Sequence, residues 1–147
     1  MQGKFQNEWH KLRANLLAVA SWLRMEMNEV LEPFDLTQQQ FNVLRILRGA
    51  YPTPISTADI RERMLDKNSD ASRLVDRLCT KGLVDKKTCI EDKRLVNVLI
   101  SENGQALLKE IDEKMNELDK ILQVISLDEA KILNEILDKI ENSSKLP

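Results

Sequence analysis

The chain has one histidine, two cysteines and no apolar run approaching the length of a bilayer span. Each scarcity excludes something. With His10 alone there is almost no material for a zinc site or a histidine-based nucleophile relay. No nucleophile, base and orienting group occur together either, so an enzyme is not expected. Cys79 and Cys89 are too few for a disulfide framework and lack the paired spacing of a metal site, so no cofactor is expected. Polar residues run through the first ten positions, which therefore lack the apolar core of a signal peptide. A cytoplasmic protein is the expectation. The net charge of -2 by itself argues against a nucleic-acid partner.

What is present points the other way. A length of 147 residues fits a single domain, 1–147, able to bury a core without staples, and 42% hydrophobic with 31% charged residues describes a soluble protein with many helical surfaces. The charge is unevenly placed. From Arg61 to Arg94 ten Lys or Arg face seven Asp or Glu, whereas from Ser101 to Pro147 six face eleven. This split suggests a face for an anionic partner and a separate acidic part held away from it.

Phe5, Trp9, Leu12, Leu16, Val19, Leu23, Met27 and Val30 recur at spacings of three and four, which predicts one long helix from about 5 to 31, ended by Pro33. Its seam, close to a 3.5-residue repeat, suits packing on another helix. Capping pairs mark further helix starts at Thr37 with Gln40, Ser56 with Asp59 and Ser126 with Glu129, and less completely at Ser101. The first opens a helix with Phe41, Val43, Leu44, Ile46 and Leu47, apolar nearly all round and so central to the core; Gly49, Pro52 and Pro54 close it. The last two helices carry apolar stripes from Leu107 to Ile125 and from Ile132 to Ile140, too extensive for a small monomer to cover. Their acidity weighs against an anionic membrane surface as the cover.

The stretch from Ser56 to Ser101 organises the rest. A short helix with Ile60 and Met64 inward is followed by a connection at Leu65–Lys67 and a second helix beginning near Asn68 or Ser69. In that helix Ala71, Leu74, Val75 and Leu78 form one apolar stripe, and Ser69, Asp70, Ser72, Arg73, Asp76 and Arg77 the other face. Such a face can enter a major groove, although any amphipathic surface helix also has a polar face. Lys81-Gly82 ends it, and strands at Leu83–Ile90 and near Val96–Ile100 flank a charged turn at Glu91-Asp92-Lys93. The hairpin carries Lys86 and Lys87 on its first strand and Lys93 and Arg94 at its tip.

This order, with Arg73-Leu74-Val75-Asp76-Arg77-Leu78, then Lys81-Gly82-Leu83-Val84, then Asp92-Lys93-Arg94, Val96-Asn97-Val98 and Ser101-Glu102-Asn103-Gly104, resembles the MarR family of winged helix-turn-helix regulators over nearly the whole chain. The resemblance implies a mainly α fold with a small β-hairpin wing. It places the winged helix-turn-helix at 36–100 and dimerisation helices at 1–32 and 101–147. It further implies a transcriptional regulator, a homodimer with interlocking terminal helices, on a palindromic double-stranded DNA operator.

The candidate DNA contacts are then Ser69, Asp70, Ser72, Arg73, Arg77, Lys86, Lys87, Asp92, Lys93 and Arg94. Arg94 suits a narrow minor groove, with Asp92 orienting it. Arg73 and Arg77 can meet base edges or phosphates. Asp70 is awkward beside phosphates; it suits either the helix N-terminus or a cytosine amino group. Proteins of the resembled family often bind small phenolic or other lipophilic ligands, for which Trp9, His10, Arg13, Trp22 and Arg45 are candidates, although Trp and His on an apolar helix face are commonly core. Two alternatives stay open: a thiol switch at Cys79 or Cys89, neither of which has a clear activating partner, and a winged helix used as a protein-protein module.

Overall fold

The computed structural model describes residues 3–88, 91 and 96–145. Helix α1, Glu8–Leu31, begins where the Asn7 side chain accepts the His10 amide at 2.8 Å. Phe5, which the periodicity puts inside the helix, therefore lies ahead of the cap, its ring edge-on to His10 at 5.2 Å. A single 3-10 turn, Glu32–Phe34, contains Pro33 and closes on Asp35 at φ 55. Helix α2, Gln38–Ala50, opens with both halves of the capping box, Gln40 N–H to Thr37 Oγ1 at 3.1 Å and Thr37 N–H to Gln40 Oε1 at 3.2 Å. Phe41, Val43, Leu44 and Leu47 are buried, as expected of a central helix. Gly49, expected to help end α2, lies within it, and the chain leaves the helix at Tyr51.

Strand β1, Ile55–Ser56, was not expected; two residues have no period to read. It pairs antiparallel with β3, Val96–Ile100, which also pairs with β2, Val84–Thr88, giving the order β1-β3-β2. Between them stand α3, Thr57–Arg63, and α4, Ala71–Thr80. Ser56 accepts the Asp59 amide at 3.1 Å, but the reciprocal half of the box is absent among the described hydrogen bonds, consistent with Asp being one methylene shorter than Glu. The connection from α3 to α4 is longer than Leu65–Lys67, and α4 starts later than Asn68 or Ser69. Asp66 is the cause. Its carboxylate accepts the Asn68 amide at 3.0 Å and its carbonyl the Ser69 amide at 3.2 Å, holding these residues in a turn.

Gly82, at φ 73, ends α4: its N–H reaches the Cys79 carbonyl at 2.9 Å while Leu83 N–H reaches Leu78 at 3.0 Å. Ser101 then ties the wing to the next helix, α5, Glu102–Asp119. Its hydroxyl donates to the Gly82 carbonyl at 2.8 Å and accepts the Gly104 amide at 3.0 Å. The core joins Leu31, α2, Ile60, Met64, the inner stripe of α4, Val98, Ile100, Leu108 and Ile111. A two-pronged ion pair from Arg48 to Asp112, at 2.7 and 3.2 Å, fastens α2 to α5. After a 3-10 segment, Lys120–Val124, helix α6, Leu127–Ser144, buries none of its residues in the protomer.

Candidate nucleic-acid interface

Helix α4 exposes Ser72, Arg73, Asp76 and Arg77 and turns Ala71, Leu74, Val75 and Leu78 into the core. The apolar spacing dictates this, because residues three and four apart share a helix face. Asp70 is the N-cap, its carboxylate accepting the Arg73 amide at 3.1 Å. The cap role, one of the two open for it, is therefore occupied. Ser69 is corrected: it precedes the helix, is only 5% exposed, and its hydroxyl has no hydrogen-bond partner among the described residues. Burial removes it from the exposed polar face on which it was expected.

The two strand lysines separate. Consecutive strand residues point to opposite faces, so Lys86, opposite Val98, shares the face of Val84, while Lys87, opposite Asn97, points the other way. Lys86 meets the Asp76 carboxylate of α4, and that hydrogen bond raises its pKa above the ordinary lysine value. The pair neutralises the one acid on the exposed face of α4 and anchors the wing base to the helix. Lys87 is exposed. The wing-tip residues Asp92, Lys93 and Arg94 lie outside the described residues.

Sequence reasoning passed over Thr57, Arg61 and Asn68, which line a cavity of about 410 Å³ with Asp70 and Ser72, between the N-terminal ends of α3 and α4. Thr57 and Arg61 are four apart on one helix, and that spacing was a usable signal. The outcome is a helix presenting two arginines, flanked by a hairpin base on one side and a third arginine on the other.

A model of the MarR family matches residues 34–95. The winged-helix segment of this chain is thus similar to the MarR family. A MarR transcription factor from Planctomyces limnophilus is 28% identical, with a TM-score of 0.72 over 92% of this chain and 98% of that one. A cysteine-to-serine mutant of MarR from E. coli, complexed with operator DNA, is 27% identical, with a TM-score of 0.78 over 94% of this chain and 99% of that one. The organohalide-sensing regulator RdhR-CbdbA1625, in its 2,4-dichlorophenol-bound form, shares the fold at 21% identity, with a TM-score of 0.83 over 97% of this chain and 87% of that one.

Beside this winged helix, the five ligand candidates do not converge. Arg45 lines a cleft of about 740 Å³ with Arg24, Met27, Phe41, Met64 and Leu65, between α1, α2 and the α3–α4 connection. Its guanidinium carbon stands 5.8 Å from the Phe41 ring centre. Trp9, His10, Arg13 and Trp22 are not in that cleft: Trp9 is 79% and Trp22 43% exposed, and His10 Nδ1 accepts the Gln6 amide at 3.2 Å. Helical phase separates them, because Trp9 and Trp22, thirteen residues apart on α1, lie on different faces of the helix and cannot turn to one cleft together. Nor does the thiol chemistry gain support at Cys79, whose pKa is raised, first by burial, against the opposing pull of Lys86. Cys89 lies outside the described residues. No helix among the described residues is long and apolar enough to cross a membrane.

Proposed function

We propose that this chain is a cytoplasmic, homodimeric, sequence-specific regulator of transcription that binds double-stranded operator DNA and acts as a repressor. The exposed row Ser72, Arg73 and Arg77 on a capped helix, in a segment matching the MarR family, carries this reading. The E. coli relative of similar shape is complexed with operator DNA, which supports the same assignment. Arg73 and Arg77 meet base edges or phosphates, Lys87 adds a backbone contact, and Arg94, by its place in the Asp92-Lys93-Arg94 motif, enters a minor groove.

Titration of an operator and of unrelated DNA at several salt concentrations tests the reading. Arg94→Ala is expected to weaken binding to both and to flatten the salt dependence, since fewer counterions are released. Arg73→Ala is expected to change base preference by about 1–3 kcal/mol at one position if it reads an edge. Unchanged affinity and slope in both variants sink the DNA-binding reading.

The Arg45 cleft supports a second part of the function, a lipophilic effector with an acidic or phenolic group that lowers operator affinity. Its volume suits a small ligand, and Phe41, Met27 and Met64 offer apolar contacts beside a cation. A benzoate or phenol titration followed by heat release tests this, with binding expected in the wild type and lost in Arg45→Ala.

A further inference from the structure

Lys81 is the C-cap of α4, at the far end from the proposed DNA-reading residues. Its side chain runs back across the protein, and its ammonium donates to the backbone carbonyl of Asp35 and, at 3.3 Å, to Gln40 Oε1. Both acceptors belong to the corner between α1 and α2. Asp35 holds that corner in the left-handed conformation, at φ 55. Gln40 is 4% exposed, and the same Oε1 closes the α2 capping box by accepting the Thr37 amide at 3.2 Å. The Asp35 carboxylate, 3.4 Å from the ammonium, is itself almost wholly in solvent and adds little. Gly82, immediately after Lys81, turns the chain away into the wing. One lysine thus joins the end of α4, the start of α2 and the corner below α1.

We propose that Lys81 is a positioning residue for DNA recognition, a clasp that fixes the pitch of α4 against the α1–α2 corner without touching the duplex. With its side chain 30% exposed and directed at protein acceptors, its ammonium is spent on the clasp. A charge-assisted hydrogen bond to a carbonyl and one to a buried amide oxygen fix direction as well as distance. Specific readout needs α4 at one angle in the groove, whereas phosphate attraction tolerates a range of angles. Loss of the clasp therefore reduces discrimination before it reduces attraction.

The proposal rests on the duplex-binding reading above, and two measurements keep the two apart. In salt-series titrations of the full-length chain, Lys81→Met is expected to lower operator affinity about tenfold, leave affinity for unrelated DNA within twofold, and leave the salt slope unchanged. Lys81→Arg, which can reach the same carbonyl, is expected to restore most of the operator affinity. The charge-balanced double variant Lys81→Met with Asp35→Asn is expected to stay as weak as Lys81→Met. A flatter slope in Lys81→Met, or recovery in the double variant, overturns the clasp in favour of a simple charge effect. Independently of DNA, amide exchange in Lys81→Met is expected to quicken at residues 38–41 and 78–83 and to stay unchanged in α6. Unchanged exchange at both stretches overturns the clasp even if the chain binds DNA. A wild type that binds no duplex, with the exchange change present, removes the DNA function and with it the recognition role, leaving only a structural contact.

Discussion

At the scale of single residues, the spacing Ser101-x-x-Gly104 was readable as a motif, but its physical reason was not. A Cβ on Gly104 would stand 2.2 Å from the Leu83 carbonyl oxygen and 2.7 Å from Ile100 Cγ1. Backbone on one side cannot yield as a flexible side chain can. Gly104→Ala is therefore expected to destabilise the fold by about 1–3 kcal/mol, the range for overpacking, read as a lower denaturant midpoint at unchanged slope. Asp70 offers a cleaner separation of roles. Asparagine caps as well as aspartate, so Asp70→Asn should keep stability, while Asp70→Ala should lose about 1 kcal/mol in the same unfolding experiment. Removing the negative charge from the end of α4 should also tighten binding to all DNA sequences, measured against the wild type at one salt concentration. Ser69 shows where sequence fails at this scale. Its identity as a small polar residue beside a helix start says nothing of burial, which depends on the Asp66 turn that delays the helix.

At the scale of elements, the helices were legible because their apolar spacing and caps are local. Thr37 with Gln40 and Ser126 with Glu129 each form both halves of a box. Strand β1 was not legible, since its pairing of Ile55 with Val98 is set by tertiary contact. The same limit applied to Lys86: the alternation of β2 was written in the chain, but its bond to Asp76 depends on how α4 packs beside the wing. The box at Ser126 yields a pH prediction. The Ser126 amide and hydroxyl bond to Glu129 and lower its pKa from the ordinary 4.5. A folded pKa below the unfolded one gives stabilisation that is present above the unfolded value and lost as pH falls through the folded one. The start of α6 should thus loosen below the ordinary glutamate range. Carboxyl chemical shifts should place the Glu129 midpoint under 4.5 in the folded chain, and Glu129→Gln should remove the pH response of the first turn of α6.

At the scale of the whole molecule, the unequal charge and the uncovered apolar surface belong to one arrangement. Among the described residues the exposed large apolar side chains lie on α1 and on the segment from Leu122 to Ile140, with Tyr51 and Leu65 the exceptions. Ile132, Leu133, Ile136, Leu137 and Ile140 make one continuous stripe on α6, and Leu12, Leu16 and Val19 make another on α1. A patch of this extent left in water favours association, and a second copy presenting the same stripes is the simplest complement. In a dimer of that kind, under the proposed function, the acidic helices would sit together away from the duplex and two α4 helices would face it. Ile132→Glu with Ile136→Glu should place four charges in that contact and give monomers in sedimentation, with the helical signal of the winged-helix part retained. Those monomers should lose cooperative binding to an operator whose half-sites are about 10 bp apart, because a lone protomer reads one half-site. A doubly substituted protein that still sediments as a dimer would remove α6 from the interface and leave the stripe on α1 to explain any pairing.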